Sequence, residues 1–230
     1  MPGVHHPLSH WRGRVWPVLR DYPTTLVIRA SSFRNWYPPD GFGEGVGRPV
    51  VILPGVYETW HYLRPVAEAL SRAGHPIHLI HKLGFNRRPI PASAEKVWRI
   101  LVDLDVHDVA IVAHSKGGLI GKQLLAFHDR EHRIDRMIAV ATPFAGSSMS
   151  QIGPTPAMRA FRPDDPVIAA LVAESAVDTR ITSIFPSFDP HIPEGSRLAG
   201  GRNIELPVQG HFRILFDPEL PELVVREVER

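Results

Sequence analysis

The chain contains no cysteine. That absence removes disulfide frameworks, zinc ribbons, iron–sulfur clusters and any thiol nucleophile together. Lysine is almost as scarce, with 4 against 22 arginines, and the basic residues are scattered, only Arg87 and Arg88 being adjacent. No nucleic-acid recognition motif is present either, so no nucleic-acid partner is expected. Nor does any run approach the roughly 20 apolar residues a membrane-spanning helix requires, so no transmembrane segment is expected. Residues 1–20 carry His5, His6, Pro7, Arg12 and Arg14 without a continuous apolar stretch, so they do not read as a secretion signal and the expected location is cytoplasmic. Histidine is plentiful, at 13, but neither His5-His6 nor the stretch 75–81 makes an HExxH pattern, so no metal site is expected.

What remains is an ordinary globular composition. The chain has 230 residues, 43% hydrophobic and 22% charged, with a formal net charge of +2. That suits one large domain over residues 1–230, with room for a substantial core. No period of 20 to 50 residues repeats. The glycine-rich stretch 40–47 lacks a GK[ST] ending and precedes a strand, so it reads as a turn. Residues 11–20, with Trp11, Val15, Trp16 and Leu19, read as an arm packed by its tryptophans. Short apolar runs recur at 49–53, 77–80, 109–113, 137–141, 181–185 and 204–206, with an extra strand at 24–30. They are short, several are β-branched, and the clearest lack a polar alternation, which suits strands buried on both faces of a parallel sheet. Between them, Val97, Ile100, Leu101 and Leu104 form one helical stripe, and residues 63–73 and 119–127 behave alike. Gly74 is placed to end the first of these. The prediction is an α/β fold with a mostly parallel sheet and helices on both faces. Residues 150–176 break the rhythm with four prolines, and an insertion of that size suggests a lid.

The most informative segment runs from Val109 to Ile120, through Ala113-His114-Ser115-Lys116-Gly117-Gly118. An apolar strand meets a serine, then two glycines and a helix. This is the setting of a nucleophile elbow, which lifts the serine hydroxyl above the sheet edge. Ala113 and Gly117 keep the small residues that the turn needs on either side. A serine hydroxyl requires a general base, oriented in turn by an acid. On this fold the order is serine, acid, histidine. His211 follows the last strand on a glycine-bearing loop and is the better-placed base, with His191 as the rival. Asp189 stands just past the carboxyl end of the 181–185 strand, where such sheets place ligands. Asp178 precedes that strand, and Asp164 and Asp165 lie in the insertion. The oxyanion donors are expected from the backbone N–H groups of Lys116, after the nucleophile, and Val56, in the glycine turn after the first strand, with Tyr57 second. Tyr57 and Trp60 either line an acyl pocket or simply pack.

Five blocks together resemble a known family: Leu53-Pro54-Gly55-Val56, Ala113 to Gly118, Ala141-Thr142-Pro143-Phe144-Ala145-Gly146-Ser147, Phe188 to Pro193, and Gly210-His211-Phe212. In this order they look like α/β-hydrolase lipases and esterases. The nearest likeness is to the bacterial triacylglycerol lipase-like branch, itself distantly similar to GPI-inositol deacylases. In such lipases the loop after the first block usually begins His-Gly, whereas here it is Pro54-Gly55. The resemblance implies hydrolysis of a small-molecule or lipid acyl ester with no metal or organic cofactor, and a lid after Ser147. The expected function is a serine carboxylic-ester hydrolase using Ser115, His211 and Asp189. Acyl transfer or amide cleavage on the same triad, and a silent binding protein of the same fold, are the alternatives.

Overall fold

The computed structural model describes residues 38–230, so the arm at 11–20 and the strand at 24–30 lie outside the described residues. Among these residues six strands form one sheet: β1 (Val50–Leu53), β2 (Ile77–Leu79), β3 (Val109–His114), β4 (Ile134–Val140), β5 (Ile181–Phe188) and β6 (Arg202–Gln209). Their order is β2-β1-β3-β4-β5-β6, and every neighbouring pair is parallel. The four residues of β1 and the six of β3 are all buried, which is why their runs show no polar alternation.

Successive side chains on a strand point to opposite faces, and the two cores follow that rule. Val50, Ile52, Ala110 and Val112 face one core, which holds Val66 and Leu70 from helix α1 (Arg64–Arg72) and Val224 and Val228 from the C-terminal helix α6 (Leu220–Glu229). Val51, Leu53, Ile111 and Ala113 face the other. That core holds Val97 and Leu101 from α2 (Ile90–Asp103) and Leu119 and Leu124 from α3 (Lys116–Phe127). Helix α2 begins earlier than its apolar stripe because Pro91 is tolerated in the first turn, where no helical N–H is lost. Helix α1 ends at Gly74, whose φ of 88° suits glycine alone. Helix α6 had no counterpart in the sequence reading, although Leu220, Leu223, Val224 and Val228 carry the helical spacing.

The insertion 150–176 is ordered. It holds α4 (Pro156–Arg159) and α5 (Pro166–Ala173), and the Asp165 side chain accepts the Val167 N–H at 2.9 Å to cap α5. Ile168 and Leu171 are fully buried against α3. A buried ion pair between Lys122 and Asp178, at 2.6 Å, ties α3 to the turn before β5. Because the chain leaves β1 for β2 and returns to β3 on the other side, the sheet has its topological switch between β1 and β3. The crevice at such a switch, beyond the strand carboxyl ends, is where α/β sheets collect ligands. Among the described residues no helix is long and apolar enough to cross a membrane.

Candidate active site

Ser115 stands between β3 and α3 with φ 52° and ψ −119°. A serine adopts that backbone only when its surroundings over-determine it, and here they do. Its N–H donates to Val140 O at 2.9 Å. Its carbonyl accepts the Gly118 N–H at 3.0 Å and the Thr142 hydroxyl at 3.1 Å. A Cβ on Gly117 would lie 2.0 Å from Leu53 O, so only glycine lets the start of α3 pass β1 this closely. On Gly118 it would lie 2.0 Å from the Thr142 hydroxyl.

Asp189 follows β5 directly, and His211 follows Gly210 at the end of β6. His211 Nδ1 lies 2.8 Å from Asp189 Oδ2. The other carboxylate oxygen, Oδ1, accepts the N–H groups of His191 at 2.8 Å and Ile192 at 3.2 Å. Burial alone would raise the Asp189 carboxyl. The His211 charge and hydrogen bond and the His191 N–H outweigh it, holding the group below its ordinary range. A buried ionised carboxylate aimed at Nδ1 fixes the tautomer that leaves Nε2 as a proton acceptor.

His191 is therefore brought to the site by its backbone. Its ring packs on His211, with centroids 5.1 Å apart, and burial followed by the His211 charge pushes it down to about 4, against the opposing pull of Asp189. A histidine held neutral that far down is a poor proton acceptor near neutrality. The Ser147 hydroxyl donates to the His191 carbonyl at 2.6 Å, joining the loop after β4 to the Asp189 loop.

Ser115 and His211 line one cleft of about 320 Å³, together with Val56, Tyr57, Glu58, Tyr62, Met158, Phe161, His191, Ile192 and Phe212. Tyr57 is thus at the cleft, but its N–H donates to Phe85 O at 2.8 Å, which removes it as the second oxyanion donor. The Val56 N–H has no acceptor among the described residues, and the Lys116 N–H stands in the first turn of α3, where no intrahelical partner exists. Trp60 corrects the sequence expectation. Its ring packs edge-on against Phe42 and stacks on His61, and it lines a separate cavity of about 170 Å³ near Leu79 and Phe85. The 3-10 turn at Trp60–Leu63 directs it into the core instead of toward Ser115.

Three buried polar residues beside the site escaped the sequence reading. Glu58 accepts the Gly55 N–H at 2.7 Å and contacts His114 Nδ1 at 2.8 Å. His114 Nε2 lies 3.2 Å from the His211 carbonyl oxygen. Asn86 Nδ2 donates to Pro54 O at 2.7 Å, bracing the loop after β1. The Lys116 ammonium, lowered to about 8 by burial, donates to Asn86 O at 2.7 Å and to Arg88 O. The available signal was His114 itself, an imidazole in an otherwise apolar buried strand that had to find partners.

An elbow serine, an adjoining carboxylate–imidazole pair and a parallel sheet with the serine at its switch point define a class of hydrolase. Residues 48–180 match the alpha/beta hydrolase fold family. The chain belongs to that family. It is 32% identical over 168 residues to proteins named haloalkane dehalogenase 1 from Mycobacterium bovis and Mycobacterium tuberculosis. That match covers 67% of this chain and 54% of the relatives, so the chain spans about half the length of the curated proteins it matches. Among solved structures it resembles an enol-lactonase from Burkholderia xenovorans, at 16% identity and a TM-score of 0.59, covering 81% of this chain and 93% of that one. It also resembles a monoacylglycerol lipase from Paleococcus ferrophilus, at 18% identity and a TM-score of 0.56, covering 81% and 95%. At such identities the two structures speak for the fold alone.

Proposed function

We propose that the protein is a serine carboxylic-ester hydrolase acting through Ser115, His211 and Asp189. The observation that carries this reading is the 2.8 Å Asp189–His211 pair, set on the same cleft as a serine at positive φ. Ser115 Oγ attacks the acyl carbonyl and His211 Nε2 takes its proton, while Asp189 holds Nδ1–H and stabilises the imidazolium. The developing oxyanion sits between the N–H groups of Val56 and Lys116. Collapse of the tetrahedral intermediate expels the alcohol, which receives the proton from His211, and leaves an acyl-serine. Water, deprotonated by His211, then releases the carboxylic acid and frees Ser115. The segment 150–176 acts as the lid, a role supported by Ser150, Met158 and Phe161 lining the cleft while Ile152 is exposed.

Chemistry separates this reading from dehalogenation, the activity in the relatives' name. Displacing a halide with a serine would give an alkyl ether. Such an ether has no carbonyl for water to attack, so Ser115 would not be regenerated. An acyl-serine does have one. The test is a panel of p-nitrophenyl esters from acetate to palmitate, with Ser115→Ala as control and a fluorophosphonate probe mapped by mass spectrometry. The expected result is labelling of Ser115 and loss of about 10⁴-fold or more in kcat for the alanine variant. Full activity in that variant, or labelling at another residue, overturns the proposal.

A further inference from the structure

Glu58 and His114 lie outside the triad, yet both are buried at its edge, 2% and 0% exposed. Glu58 grips the loop after β1 at two points. Its carboxylate accepts the Gly55 N–H at 2.7 Å, and its own N–H donates to Gly55 O at 3.3 Å. Gly55 O belongs to the same peptide as the Val56 N–H. In a trans peptide these two groups point in opposite directions, so holding the carbonyl toward Glu58 turns the Val56 N–H the other way. A Cβ on Gly55 would lie 2.4 Å from Glu58 Oε1, so the carboxylate sits where only glycine leaves space.

The opposite end of the chain of contacts reaches the base. His114 Nε2 is 3.2 Å from the His211 carbonyl, and the two rings are 4.8 Å apart between centroids. A carbonyl only accepts, so Nε2 must carry a proton. Nδ1 faces a carboxylate at 2.8 Å, so a second proton lies between them. The Glu58–His114 pair therefore holds two protons and no net charge, which is the state that costs least in a site this dry. A neutral pair gives the site orientation without adding a charge beside His211.

We infer that Glu58 and His114 are positioning residues that set the Val56 oxyanion donor and the His211 backbone in register with Ser115. The inference rests on the ester-hydrolase reading. It differs from a purely structural role in one respect. A purely structural pair is replaceable by apolar side chains of similar volume at a cost in stability, since the Gly55 N–H and the His211 carbonyl lose partners, but with kcat per folded site unchanged. A positioning pair is not, since a displacement near 1 Å at a reacting centre costs about 10²-fold.

The experiment compares the wild type, Glu58→Leu/His114→Phe and Glu58→Gln, with thermal unfolding recorded for each. Active sites are counted by fluorophosphonate titration, so kcat refers only to folded, labelled enzyme. The expected double variant is folded, keeps KM within about threefold, and has kcat per site reduced about 30- to 100-fold. Gln still accepts the Gly55 N–H and donates to a neutral His114, so Glu58→Gln is expected to recover kcat to within about fivefold of wild type. A double variant with wild-type kcat per site overturns the inference, as does a Glu58→Gln variant no better than the double. Should the double variant not fold, the Glu58→Gln comparison is made against Glu58→Leu alone, and equal kcat per site in those two is the overturning result. Failure of the underlying reading looks different: the wild type itself then neither turns over esters nor takes the probe at Ser115.

Discussion

Two carboxylate–imidazole pairs lie side by side at the carboxyl edge of the sheet. Asp189 and His211 come from just past the ends of neighbouring strands β5 and β6, His114 from the end of β3, and Glu58 from the loop after its neighbour β1. In each, a buried carboxylate approaches Nδ1 at 2.8 Å. They differ in what surrounds that contact. The second oxygen of Asp189 takes two backbone N–H groups of its own loop, and the His211 ring borders the cleft. Glu58 takes the N–H of Gly55, and the second nitrogen of His114 ends on a backbone carbonyl. On the proposed reading, the same two functional groups thus make a base in one place and a brace in the other. Residue type does not decide the role; the partner of the remaining imidazole nitrogen does.

The sharpest break in that comparison is Asp189→Asn. The amide preserves the shape but favours the wrong His211 tautomer, and kcat should fall about 10⁴-fold with the fold retained, as steady-state kinetics and unfolding curves would record. The corresponding change in the other pair, Glu58→Gln, keeps kcat within about fivefold of wild type, so the two isosteric substitutions differ by roughly three orders of magnitude. Next comes Glu58→Ala, which removes an acceptor from both Gly55 N–H and His114 in a dry site. Denaturant unfolding should show a loss of about 3 kcal/mol or more.

A smaller effect concerns pH and His191, whose ring packs on His211. His191 is held near 4 in the native state, whereas an unfolded histidine titrates near 6.5. Between these values the unfolded chain binds a proton that the native chain does not, so stability falls as the pH drops from about 6.5 toward 4. His191→Gln should flatten that part of the stability profile. Asp189 acts below it: its native carboxyl is depressed, so its contribution is complete above about 3.9 and disappears as the pH falls through the lower native value. An unchanged slope in His191→Gln would place the acid sensitivity elsewhere. The smallest effect is expected from Trp60→Phe, since Trp60 shares a loop with Glu58 but lines another cavity. Its kcat/KM on small esters should stay within about twofold.

The strands and the elbow were legible because their determinants are local. Val50–Leu53 and Val109–His114 are continuous apolar runs, and Gly117 marks its close approach by a missing side chain. Asp189 and His211 were legible through chain order and position after a strand. The Glu58–His114 contact was not, because it spans 56 residues and only the parallel pairing of β1 with β3 brings its halves together. For Trp60 the sequence left lining and packing both open, because nearness to Tyr57 says nothing about the 3-10 turn that sends it inward. Helix α6 carries its signal only in the spacing of Leu220, Leu223, Val224 and Val228, with no motif beside it.

The proposed acid and base both lie within residues 181–211, beyond β4 and after the serine turn is complete. Synthesis runs from the N-terminus, so the ribosome delivers the proposed nucleophile about a hundred residues before the group proposed to activate it. A nascent or truncated chain ending near residue 180 carries Ser115 on its elbow but neither partner, and it leaves one edge of β4 without the neighbour that β5 provides. On the proposed reading, hydrolytic competence arrives only with β5 and β6, the strands that carry the acid and the base. A copy ending there leaves the backbone groups on that edge of β4 open to pairing with another chain.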